Sequence, residues 1–206
     1  MNSDSSKVTS IVKNIIDLAL GGAGPLASAP ELAEQYRRDD SYASEDERID
    51  ALIRWETTKN FGTGFLTGLG GLATLPLAVP ASMVGAWVVQ ARMIGAIASI
   101  RGYDTTDDRV QTAILLCMLG DSGKEVLKRV GITVGEKVSI SAISRIPGKV
   151  LVQINKLVGV RLLTKAGSKG IINLTKLVPL VGGFISGGFD AVATYTVGRG
   201  AAVAFA

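Results

Sequence analysis

Histidine is absent from this chain of 206 residues. That removes the commonest general base, the usual zinc ligand and the usual switch near neutral pH. There is one cysteine, Cys117, so no internal disulfide can form and no secreted disulfide framework exists. It lies in the run Ile114-Leu115-Leu116-Cys117-Met118-Leu119, which reads as a small hydrophobe in a core. Aromatic residues make up only 5%, so packing falls to Leu, Ile, Val, Ala and Gly. Acids are missing from Lys137 through Phe189, where eight bases stand alone. Alternating, strand-like patterning is scarce. A nucleophile elbow, a phosphate-binding loop and metal-ligand spacing are all missing. The glycines of Gly62-Thr63-Gly64 and Gly68-Leu69-Gly70-Gly71 lack the strand–turn–helix setting and the lysine of a nucleotide site. No catalytic, cofactor-binding or metal-ligating residue is therefore assigned. The expectation is a protein that is not an enzyme and carries no cofactor.

What is present is apolar and small. Hydrophobic residues reach 47%, with 25 glycines besides. The length fits one domain over residues 1–206. The start, Met1-Asn2-Ser3-Asp4-Ser5-Ser6, is polar and leads into no basic-then-apolar leader. A cytoplasmic setting is expected.

Most segments carry apolar residues at intervals of three and four, which predicts an all-α fold: a compact multi-helix bundle with two glycine-rich apolar helical hairpins. Residues 1–60 read as amphipathic helices around an acidic loop. Val8, Ile11, Val12, Ile15, Ile16 and Ala19 line a helix over 7–20, stopped by Gly21-Gly22-Ala23-Gly24-Pro25. A short helix follows over 29–36, with Pro30 at its start. Ser44 and Glu47 have capping-box spacing and open a helix over 45–60.

Residues 61–103 read as an apolar hairpin. No charge occurs from Phe61 to Gln90, and Pro76 and Pro80 divide the stretch into 61–75 and 81–100. A spanning helix needs about 20 apolar residues, and Gln90 and Arg92 spoil the second half as a span. The hairpin is therefore expected either to fill the core or to dip into one leaflet.

Residues 104–206 form the basic half. Thr105 or Thr106 is the candidate N-cap of an apolar helix over 109–119, ended by Gly120. A charged helix over 122–130 follows, then one over 132–146 stopped by Pro147-Gly148. The helix over 149–166 has apolar residues on nearly all faces, which predicts that it is mostly surrounded. Gly167-Ser168-Lys169-Gly170 should break it. The last helix, over 180–205, is glycine-rich.

Two sets of glycines share one spacing. Gly64, Gly68 and Gly71 fall on one helix face, and Gly183, Gly187 and Asp190 repeat the interval. Small residues so placed let helices approach closely. Asp190 is the only acid after Glu136. An unpaired carboxylate on an apolar face is costly, so Arg92, Arg161 and Lys165 are its candidate partners, Arg161 first. The pair would fix helix register. An ion or proton site within a membrane is the other reading, but one carboxylate with no histidine or second acid makes a thin relay.

The bases of Lys137–Phe189 invite an anionic partner. Nucleic acid is disfavoured, because Lys137–Val181 holds no aromatic residue for stacking. An anionic membrane surface fits better, with Lys149, Lys156, Lys169 and Lys176 as the candidate lipid-facing bases. Solvation of helix ends is the plainer alternative.

The run from Ile154-Asn155-Lys156 through Gly159-Val160-Arg161 to Lys165-Ala166-Gly167-Ser168-Lys169-Gly170 resembles the EcsC family. So do Lys176-Leu177-Val178-Pro179 leading to Gly188-Phe189-Asp190-Ala191, Gly70-Gly71-Leu72-Ala73-Thr74-Leu75-Pro76, Gln90-Ala91-Arg92-Met93-Ile94 and Gly102-Tyr103-Asp104. The resemblance implies a helical, membrane-associated bacterial protein with no active site to carry over. The acid-free basic stretch and the lack of an unbroken span make the expected attachment peripheral, at the inner face of the cell membrane. A transporter or secretion complex, such as the ABC transporter the family is named beside, is the implied partner. A pore-forming or toxin-like effector releasing its apolar hairpin into a bilayer is the first alternative, and a soluble helical binding module the second.

Overall fold

The computed structural model describes residues 2–22, 24, 26–59, 81–135, 138–174 and 182–206, with side chains set aside at 2–7, 59, 81–83, 165–174 and 182–190. Nine helices run through the described residues: α1 (Asn2–Gly21), α2 (Ala29–Arg37), α3 (Glu45–Lys59), α4 (Ala81–Ile100), α5 (Asp108–Met118), α6 (Ser122–Arg129), α7 (Ile140–Ile143), α8 (Gly148–Leu174) and α9 (Gly182–Ala204). No strand occurs among them, and Leu26 is a lone bridge residue. The all-α bundle is as expected.

α4 is the axle of the bundle. Its sequence is apolar on every side, and a helix of that kind must be enclosed. From Val84 to Ile100 only Ala86, Gln90 and Ser99 keep appreciable exposure. α1, α2, α3, α5 and α9 pack around it. This half of the expected hairpin therefore fills the core. Residues 60–80, with Gly64, Gly68, Gly71, Pro76 and Pro80, lie outside the described residues.

Small residues set how tightly the layers close. A Cβ on Gly95 would stand 2.8 Å from Leu20 and 2.9 Å from Ala29, so α1 and α2 both press on α4 there. A Cβ on Gly159 would meet Val8 at 2.5 Å and Val12 at 2.8 Å. α8 thus lies directly on the apolar stripe of α1, and it also packs on α5 and α6.

Several boundaries depart from expectation. α8 does not break at Gly167-Ser168-Lys169-Gly170 but runs on to Leu174. Glycine keeps its N–H, so the helical ladder continues at a cost of roughly 1 kcal/mol per glycine. Proline, which removes the donor, comes only at Pro179. α8 is also not surrounded: Val152 is 69% exposed and Val160 45%. The expected helix over 132–146 shrinks to Ile140–Ile143. Gly131 takes a φ of +80° and ends α6, and β-branched Thr133 and Val134 follow before Gly135. The cap of α5 is Asp107, whose carboxylate accepts the Arg109 N–H at 2.6 Å. Thr105 is buried, and Thr106 donates to Asp104. α1 also starts well before residue 7.

Candidate functional site

The outer face of α8 is built by helical spacing. Lys149, Val152, Gln153, Lys156, Val160 and Thr164 are all exposed, and their intervals of one, three and four residues put them on a single stripe. The opposite stripe, Leu151, Ile154, Val158 and Leu162, is buried. α8 contains no acid from Gly148 to Leu174. Its face is therefore basic and apolar together, with lysine ammoniums free to reach outward past two valines. Lys169 and Lys176 lie outside the described side chains. Arg161 sits at the edge of the stripe and donates to Glu125 of α6.

Arginines tie the other helices together. Arg92 of α4 pairs with Glu56 of α3 in the interior, where Arg92 is 7% exposed and Glu56 1%. Its Nη1 also donates to the Ala27 carbonyl oxygen at 3.3 Å, while its Nε is buried without a hydrogen-bond partner. Arg101 at the end of α4 reaches Glu45, at 3.2 Å, and Asp46. Arg199 of α9 reaches Asp50. The acids of α3 thus anchor arginines from two neighbouring helices.

Arg92 and Arg161, both offered as partners for Asp190, hold other carboxylates. The side chains of Asp190 and Lys165 lie outside those described. Residues 183 and 187 of the second glycine set fall within α9, but the face expected of them lies outside the described side chains. Glu56 was the residue sequence reasoning missed, although the signal was present. It falls in register with Ile49, Leu52 and Ile53, at i, i+3, i+4 and i+7, on the stripe of α3 that turns inward.

A shallow two-lobed groove lies where the end of α2 and the following loop meet α3. Tyr36, Asp39, Tyr42 and Trp55 line one lobe of about 260 Å³. Tyr42, Arg54, Trp55 and Thr58 line the other, of about 320 Å³. The Tyr36 and Tyr42 rings stack with centroids 6.2 Å apart. Burial, and next the Glu56 carboxylate, push the Tyr36 phenol upward, so it stays neutral.

Cys117 is buried in α5, and burial pushes its thiol up to about 12. It is not a thiolate nucleophile near neutral pH, and it packs as the expected hydrophobe. Among the described residues no group of three or more acids or cysteines is arranged to hold a metal ion. Nor is any described helix long and apolar enough to cross a membrane. No family model, curated protein or solved structure matches the chain.

Proposed function

We propose that this chain is a non-catalytic accessory protein of the EcsC type that docks peripherally on an anionic membrane surface through the outer face of α8. The observation that carries the reading is the composition of that face. Lys149 and Lys156 are exposed beside Val152 and Val160, with no acid anywhere on the helix. Lysines near an anionic bilayer contribute about 1 kcal/mol each. Two of them give weak, reversible attachment, strengthened by the apolar surface of the valines. An integral membrane complex on the cytoplasmic side, of the transporter or secretion kind, is the partner the family resemblance suggests.

Sedimentation with vesicles tests this. Binding to anionic vesicles should fall as salt rises, because the surface potential is screened within about 8 Å at physiological ionic strength. The K149E/K156E protein should bind at least about thirtyfold more weakly, because the two lost lysine contributions alone account for that factor and the new carboxylates add repulsion. Equal binding to neutral vesicles at high salt would point to insertion of an apolar segment, and leakage of trapped dye would favour the pore-forming reading. Unchanged binding by K149E/K156E would remove α8 as the docking face.

A further inference from the structure

The groove between α2 and α3 combines features that favour one class of ligand. Its smaller lobe is lined by three aromatic side chains, Tyr36, Tyr42 and Trp55, and a single carboxylate, Asp39, with the two tyrosine rings stacked on each other. Trp55 is 54% exposed although it is among the largest apolar side chains of the protein. Asp39 accepts hydrogen bonds from Ser41, which hold its carboxyl below the ordinary value and keep it ionised near neutral pH. The surrounding stretch from Glu31 to Asp50 carries eight acids against three bases. Arg37 and Arg38 are both engaged with Glu34, and Arg48, the third base, stands near enough to help lower the Asp39 carboxyl, so an incoming cation shares Asp39 with it.

From this arrangement we infer that the Tyr36–Tyr42–Trp55 lobe is a binding site for a small organic cation, an alkylated ammonium group, with Asp39 as its counter-charge. Aromatic faces carry negative potential and attract such a cation once its methyl groups displace water from the rings. A metal ion or a strongly hydrated ammonium gains less, because its water shell keeps it from the rings. The lobe, of about 260 Å³, has room for a trimethylammonium head and part of the chain that carries it. Arg54, in the adjoining lobe beyond Trp55, is the one opposing charge among the lining residues. The site stands on the face of α3, away from α8, so it rests on no part of the membrane reading.

The test uses the full chain and tetramethylammonium chloride, with saturation transfer to the ligand methyl protons as the readout. Binding should be saturable and weak, and sodium chloride at equal ionic strength should not mimic it. Choline should compete for the same site, and its neutral isostere 3,3-dimethylbutan-1-ol should bind markedly less. Trp55→Ala and Asp39→Asn should each weaken binding by roughly two- to fivefold, the scale of one exposed cation–π or charge contact. Arg54→Gln should tighten it. Both Trp55 and Asp39 are exposed, so circular dichroism should show these variants folded as before. Equal binding of the neutral isostere, or a Trp55→Ala protein that binds as well as the parent, would overturn the assignment.

Discussion

At the scale of single residues, Glu56 and Arg92 hold each other in the interior. Neither charge would be tolerable alone there, since an unpaired buried ion loses its hydration without compensation. Removing one partner typically costs about 3–5 kcal/mol. Glu56→Gln should therefore lower the denaturant midpoint sharply, because it strands the Arg92 guanidinium between α3, α4 and the Ala27 carbonyl. The Glu56→Met/Arg92→Met double variant should recover much of that loss, because a well-packed apolar pair can replace a buried ion pair. A Glu56→Gln protein with an unchanged midpoint would show that the pair contributes little. The place of Glu56 on the inner stripe of α3 was legible in its spacing from Ile49, Leu52 and Ile53. Its partner was not, because 36 residues separate the two and no local interval connects them.

At the scale of elements, α2 shows how a short helix is held at its start. Ser28 accepts the Glu31 N–H at 3.2 Å, and the Glu31 carboxylate accepts the Ser28 N–H at 2.8 Å. Each bond satisfies a backbone or side-chain group that the first turn leaves open. Ser28→Ala should cost about 1 kcal/mol in thermal or denaturant unfolding. The Ser28 backbone N–H, then its hydroxyl, lower the Glu31 carboxyl below its ordinary value of 4.5. The folded chain therefore holds fewer protons at this site than the unfolded chain. The contribution of Glu31 is complete above 4.5 and is lost as pH falls through the lowered folded value. Unfolding midpoints measured from pH 6 downward should show a smaller acid loss in Glu31→Gln than in the parent, and identical slopes would contradict this. Asp39 and Asp104, lowered by Ser41 and Thr106, add to acid loss in the same direction. The spacing of Ser28 and Glu31 matches that of Ser44 and Glu47, so this box was as readable as the one expected before α3.

At the scale of the whole molecule, stability is layered around α4. Its residues from Val84 to Ala98 touch helices on all sides, so they should exchange amide protons only when the bundle opens as a whole. Amides of Val88–Ile97 should exchange slowest, with those of buried α5 close behind. Amides of 132–135 and of four-residue α7 should exchange fastest among the described internal segments. Slower protection in α8 than in α4 would contradict a bundle centred on α4. Charge follows the same layout. The acids of α3 are spent on Arg92, Arg101 and Arg199, while α8 packs on α1, α5 and α6 with Lys149 and Lys156 outward.

The sequence by itself determined the helices and much of the charge layout. Apolar intervals of three and four marked α1 apart from its early start, a capping box marked α3, a glycine-ended apolar run marked α5, a charged run marked α6, and the proline-bounded apolar run marked α4 as Ala81–Ile100. These features are local, because a helix closes its hydrogen bonds within four residues. The tertiary structure decided which apolar helix would be enclosed and which would keep a bare face. α4 and α8 are both rich in aliphatic residues, yet five helices surround α4 while Val152 and Val160 of α8 remain exposed. It also decided that Arg92 answers Glu56 and Arg161 answers Glu125. The physical reason is the same in each case: burial and ion pairing depend on which helices meet, and that depends on contacts between residues far apart in the chain.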